Sequence, residues 1–173
     1  MSNIFLLTYY TKKLNLVIIE SNNSISRRYS EHFNIIFKNV IIYTCQNDFL
    51  ANQKESNPDI LLFDNDIHDK MPTFSFIKDV HIINPLIKVI LFSKYTDYNI
   101  LMKCFKYNVT GFMGNNSNEQ DLRDFLKVAV KRILMNSNNK FNDKNKFDVM
   151  DCLKFLLDEY KCVNLVNHYK GIP

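Results

Sequence analysis

Asp64 closes the apolar run Asp59-Ile60-Leu61-Leu62-Phe63-Asp64, and a carboxylate placed there can accept a transferred group or hold a cation. A continuous apolar run marks a strand buried on both faces, and ligands of open parallel sheets sit just past the carboxyl ends of such strands. Two further runs end on polar residues in the same way. Glu20-Ser21 follows Leu14–Ile19, and Ser93 follows Ile87–Phe92. If the runs are neighbouring strands, two acids and two hydroxyls meet at one rim. Asp66, His68 and Asp69 also have the residue types of a metal site, but they lie in the polar stretch 65–70 without further ligands at suitable spacing. A solvated loop accounts for them better.

The elements that must position these residues follow from periodicity. Five short apolar runs alternate with helical patterns. Leu14–Glu20 reads as the first strand, and Ser21–Ser24 as the loop that caps the next helix, whose residues Ile25, Tyr29, Phe33, Ile36 and Phe37 share a face. Val40–Thr44 is a second strand, followed by a poorly patterned helix around Phe49 to Gln53. Pro58 introduces the third strand. Pro72 then suits the first turn of a helix that points Phe76, Ile77, Val80 and Ile83 one way. Ile87–Ser93 is the fourth strand, and Tyr98, Leu101, Met102 and Phe105 form the apolar stripe of the helix after it. Val109–Met113 is a short fifth strand. Ser117 to Gln120 fits a capping box, and Leu122, Phe125, Leu126, Ala129 and Ile133 complete the last amphipathic helix of the series.

Repeated strand–helix units with right-handed connections give an α/β fold: a doubly wound, five-stranded parallel sheet with helices on both faces. Leu16, Ile18, Leu61, Phe63, Val89 and Leu91 are its expected core. The pattern fills residues 13–135. Residues 136–146 are polar and aperiodic, as a linker would be. From 147 to 173, Val149, Leu153, Leu156, Leu157 and Tyr160 outline one more helix, a C-terminal helical extension, and Cys162 to Tyr169 suit a strand, which leaves room for the start of a further domain.

Composition narrows the function. The 173 residues hold 22 basic and 18 acidic side chains, a net charge of +4 scattered along the chain rather than gathered in a stripe, so nucleic acid is not an expected partner. With 3 Gly there is no Gly-rich phosphate loop, neither GxGxxG nor GxxxxGK[ST]. Residues 3–10 are apolar but too short to span a membrane and lack the features of a secretory signal. Cys45, Cys104, Cys152 and Cys162 form no CxxC pair, and His32, His68, His81 and His168 do not sit at metal-finger spacing. Reduced thiols in a cytoplasmic protein are the expectation.

The ordered series Glu20-Ser21, Asp64, Ser93 and Gly111-Phe112 resembles the receiver domain of bacterial two-component response regulators, over about residues 13–135. The resemblance implies a flavodoxin-like sheet of strand order 2-1-3-4-5. It implies that Asp64 is the phosphoacceptor of a histidine kinase, that Ser93 and Phe112 are the switch pair, and that Mg2+ is held by Glu20, Asp64 and the Asp66 backbone carbonyl. It also implies a histidine kinase or downstream effector as partner, and pairing of two copies through residues 98–107 and the last receiver helix.

The departures change that picture. Ser21 stands where the family has a second acid, which weakens any Mg2+ site. Asn115 stands where the family has a lysine, and no basic residue occurs from Gly111 to Gln120. Phosphoryl transfer needs its oxygen charge neutralised, so both losses bear on the chemistry. The sequence therefore favours an atypical receiver: a signalling module rather than an enzyme, working mainly through protein contact, with phosphoacceptor chemistry weakened or lost. A working phosphoacceptor is the alternative, and a small-ligand-binding flavodoxin-like protein is the third. Asp64 as a mere strand terminator, Ser93 as a helix cap and Phe112 as plain core packing are the corresponding structural readings.

Overall fold

The computed structural model describes residues 10–21, 24–66, 72–94, 97–114 and 117–136. The chain divides into two units, Met1–Asn136 and Ser137–Pro173. The second unit, and with it the helix and strand expected from 147 onward, lies outside the described residues, as do residues 3–9 and Asn115.

Five strands and five helices alternate in the described part of the first unit: β1 (Asn15–Ile19), α1 (Ser24–Ile36), β2 (Asn39–Tyr43), α2 (Gln46–Ser56), β3 (Ile60–Asp64), α3 (Thr73–Ile83), β4 (Lys88–Ser93), α4 (Tyr98–Lys106), β5 (Gly111–Gly114) and α5 (Glu119–Asn136). The sheet is parallel throughout, in the order β2-β1-β3-β4-β5. Strands β1, β3 and β4 are central and read as unbroken apolar runs because both their faces are covered.

Side chains alternate across the sheet. Val17, Ile19, Leu61, Phe63, Val89, Leu91 and Phe112 face a buried cluster completed by Phe49 of α2, Phe76, Ile77 and Val80 of α3, and Cys104 of α4. Leu16, Ile18, Ile60, Leu62 and Ile90 alternate to the opposite face and are buried too. Helix α1 packs beside β2, and α5 beside β4 and β5. All six residues expected in the core are buried. Helix α2, poorly patterned in sequence, extends over three turns, and its single large buried apolar side chain, Phe49, is packed edge-on by Tyr43 and Phe76.

Four local expectations need correction. Pro72 precedes α3 at the cap position, with φ −59° and ψ 133°, rather than sitting in its first turn. Ile83 is exposed, because it is the last residue of α3 and no following turn packs over it. The capping box of α5 is shifted by one residue. The Asn118 side chain accepts the Asp121 N–H at 3.1 Å and the Asp121 carboxylate accepts the Asn118 N–H at 2.8 Å, which also puts a negative charge at the helix N-terminus. Finally, only part of the stripe expected to bury α4 faces inward: Leu101 is half-buried and packs against the core, whereas Tyr98, Met102 and Phe105 are 73%, 48% and 63% exposed, and Cys104 is the buried residue of that helix. Burial pushes the Cys104 thiol up to about 12, so it is an inert packing group.

Candidate functional site

Strand register brings the sequence-derived residues to one rim. Ile19 pairs with Phe63 and Asp64 with Phe92, so Glu20, Asp64 and Ser93 emerge together at the carboxyl edge of β1, β3 and β4. Asp64 is 6% exposed and its Oδ1 accepts the Asp66 N–H at 2.9 Å. Burial pushes its carboxyl above the usual carboxylate value. The Asp66 N–H pulls it back, the charges of Asp66 and Glu20 push it up again, and the Lys94 ammonium pulls it down. The two strand ends are tied to each other: Asn65 N–H donates to the Phe92 carbonyl at 2.7 Å, and Asn65 Nδ2 donates to Ser93 Oγ at 3.2 Å.

Glu20 has a different task from the one its position suggests. It is fully buried, and its Oε2 and Oε1 accept the N–H groups of Ile25 and Ser26 at 2.6 and 2.9 Å. These are among the donors that the first turn of a helix leaves without intrahelical partners, and a carboxylate there also meets the positive end of the helix dipole. The side chain thus anchors α1 to the end of β1. Ser21 is exposed.

These residues offer a divalent cation few free carboxylate oxygens. Both Glu20 oxygens already hold backbone donors, Ser21 brings no charge, and among the described residues no group of three His, Cys, Asp or Glu side chains is placed to hold a metal ion. Magnesium requires carboxylate and water oxygens in near-octahedral array, toward which Asp64 and Asp66 bring two carboxylates that already have partners.

Ser93 ends β4 and does not cap the following helix; Asp97 does, accepting the Ile100 N–H at 2.9 Å. Phe112 is buried in β5, on the sheet face covered by α2, α3 and α4. Two residues of the rim were not singled out from sequence, Asn65 and Lys94. Lys94 Nζ lies 3.6 Å from Asp66 Oδ2. In sequence only its place directly after Ser93 marked it, and the pairing with Asp66 depends on β3 and β4 being neighbours.

No protein-family model matches the sequence, and no match to it was found among curated proteins. Solved structures are. A CheY-like response regulator receiver domain from Methanospirillum hungatei JF-1 superposes with a TM-score of 0.63 at 16% identity, over 70% of this chain and 97% of that one. A response regulator receiver domain from Clostridium thermocellum gives 0.59 at 18% identity, over 68% and 94%. The signal receiver domain of a LuxO repressor protein from Vibrio parahaemolyticus gives 0.61 at 14% identity, over 70% and 93%. With strand order, helix placement and the acid at the end of β3, these likenesses define the architecture. The chain has the flavodoxin-like receiver fold. Among the described residues no helix is long and apolar enough to cross a membrane.

Proposed function

We propose that this chain is a receiver-type module of cytoplasmic signal transduction that acts by protein contact, with phosphoacceptor chemistry at Asp64 weakened or lost. The observation that carries this reading is the commitment of Glu20 to the N-terminus of α1, where its two oxygens hold the Ile25 and Ser26 N–H groups instead of facing a cation. Ser21 and Asn115 remove the other charged helpers. Support for contact comes from α4, whose side chains Tyr98, Met102 and Phe105 present a continuous apolar stripe at i, i+4 and i+7. Single exposed apolar residues are ordinary, but three in one stripe beside a functional rim suit a docking surface. The partner is a protein of the same pathway, a histidine kinase or an effector, or a second copy of the chain.

A working phosphoacceptor is the second reading, favoured by the buried carboxylate of Asp64 beside Ser93 at the rim. Thermal unfolding with Mg2+ and beryllofluoride, which mimics an acyl phosphate, separates the two. Under the contact reading the wild type and Asp64→Asn respond alike. A large stabilisation of the wild type that Asp64→Asn abolishes, together with a gain of one phosphoryl mass from a small phosphodonor, overturns that reading in favour of the second.

A further inference from the structure

We propose that Lys94 is the resident cation of the acidic rim, paired with Asp66 so that its ammonium opposes the entry of a divalent ion beside Asp64. The inference deepens the contact-module reading and rests on it for the meaning of the pocket, though not for the geometry.

Three acids, Glu20, Asp64 and Asp66, converge at the ends of β1 and β3. Glu20 is neutralised locally by helix N–H donors. The other two share a different arrangement. The Asp66 N–H holds Asp64 Oδ1, and the Asp66 carboxylate Oδ2 lies 3.6 Å from Lys94 Nζ. The residue that pairs with the ammonium is thus the one whose backbone N–H holds Asp64, and the positive charge also draws the Asp64 carboxyl down slightly. The root of Lys94 is fixed. Its neighbour Ser93 accepts from Asn65, whose own N–H is bound to the Phe92 carbonyl, and Phe92 is the register partner of Asp64. A lysine growing from this stitched strand end has a stem long enough to reach Asp66 while the side chain stays 58% exposed.

A divalent ion approaching Asp64 and Asp66 must therefore displace an ammonium or bind against it. Like charges a few ångströms apart repel strongly enough to decide affinity even when partly solvated. Lys94 thus adds a positive charge to the rim and reduces its affinity for metal.

The test measures Mg2+ binding alone, by thermal shift and calorimetry, on the full chain. Lys94→Met should bind Mg2+ about tenfold more tightly than the wild type, the scale set by removing one opposing charge from a carboxylate pair. Lys94→Arg, which keeps the charge, should match the wild type, and Lys94→Met with Asp66→Asn should lose the gain. Because Lys94 is exposed, equal unfolding midpoints without metal serve as the folding control. Indistinguishable Mg2+ binding by wild type and Lys94→Met overturns the inference. Phosphodonor labelling of wild-type Asp64 overturns the contact reading instead, so the two failures are told apart.

Discussion

Glu20 is the residue on which site and scaffold meet. A fully buried carboxylate costs free energy unless it is hydrogen-bonded, and here two backbone donors of α1 supply the bonds. Glu20→Ala leaves both N–H groups buried without that acceptor, and we expect a loss of about 2–4 kcal/mol in urea unfolding. Glu20→Gln retains one carbonyl acceptor and should lose about half as much. An acid whose only task lay in the pocket would instead give little or no loss with either substitution. At the same scale, Asp64 and Lys94 were unequally visible in sequence. Asp64 announced itself by ending an apolar run. Lys94 looked like one more surface lysine, because an ion pair to Asp66 depends on β3 and β4 being neighbours.

The elements are held by close approaches that single residues permit. Gly111 opens β5, and a Cβ there would stand 2.5 Å from Phe125 Cδ1 and 2.8 Å from its Cγ, so the glycine lets α5 lie against the strand. Gly111→Ala should destabilise by about 1–3 kcal/mol through forced displacement of the ring, and Phe125→Leu in the same background should recover part of the loss, read from unfolding midpoints.

Lys88 begins β4 and is 5% exposed. Burial lowers its ionisation from the ordinary lysine value, and Arg132 of α5 adds to the effect. Its charged form is thus disfavoured by folding. Between the lowered folded value and the ordinary one, the unfolded chain binds more protons, so stability rises with pH across that alkaline window. Lys88→Met should be more stable than the wild type near neutrality, by about 1 kcal/mol, with the difference shrinking as pH enters the window. His81 of α3 is lowered by burial and by Lys88, so its contribution has the same sign at acid pH: stability falls as pH drops below the ordinary histidine value. His81→Gln should flatten that acid limb.

For the molecule as a whole, the proposed contact function rests on the outward residues of α4. A substitution at a residue that touches nothing leaves stability within about 0.5 kcal/mol, whereas one in a docking surface abolishes association. Met102→Lys with Phe105→Lys should therefore keep the wild-type unfolding midpoint while eliminating self-association in sedimentation velocity, or binding of the partner once that protein is known. A large drop in the midpoint would assign the stripe to the core instead.

The sequence alone determined the alternation of strands and helices, the six core residues of β1, β3 and β4, and the strand ends on which Glu20, Asp64 and Ser93 stand. Those features follow from period and run length, which are properties of neighbouring residues. Periodicity shows which residues share a face but not what covers that face. Only the tertiary structure decided that Tyr98, Met102 and Phe105 look outward, that Asn118 rather than Ser117 caps α5, and that Glu20 turns to α1. It also decided that Lys94 reaches the acids of β3, because a charge pair between two strands exists only once register has made them neighbours.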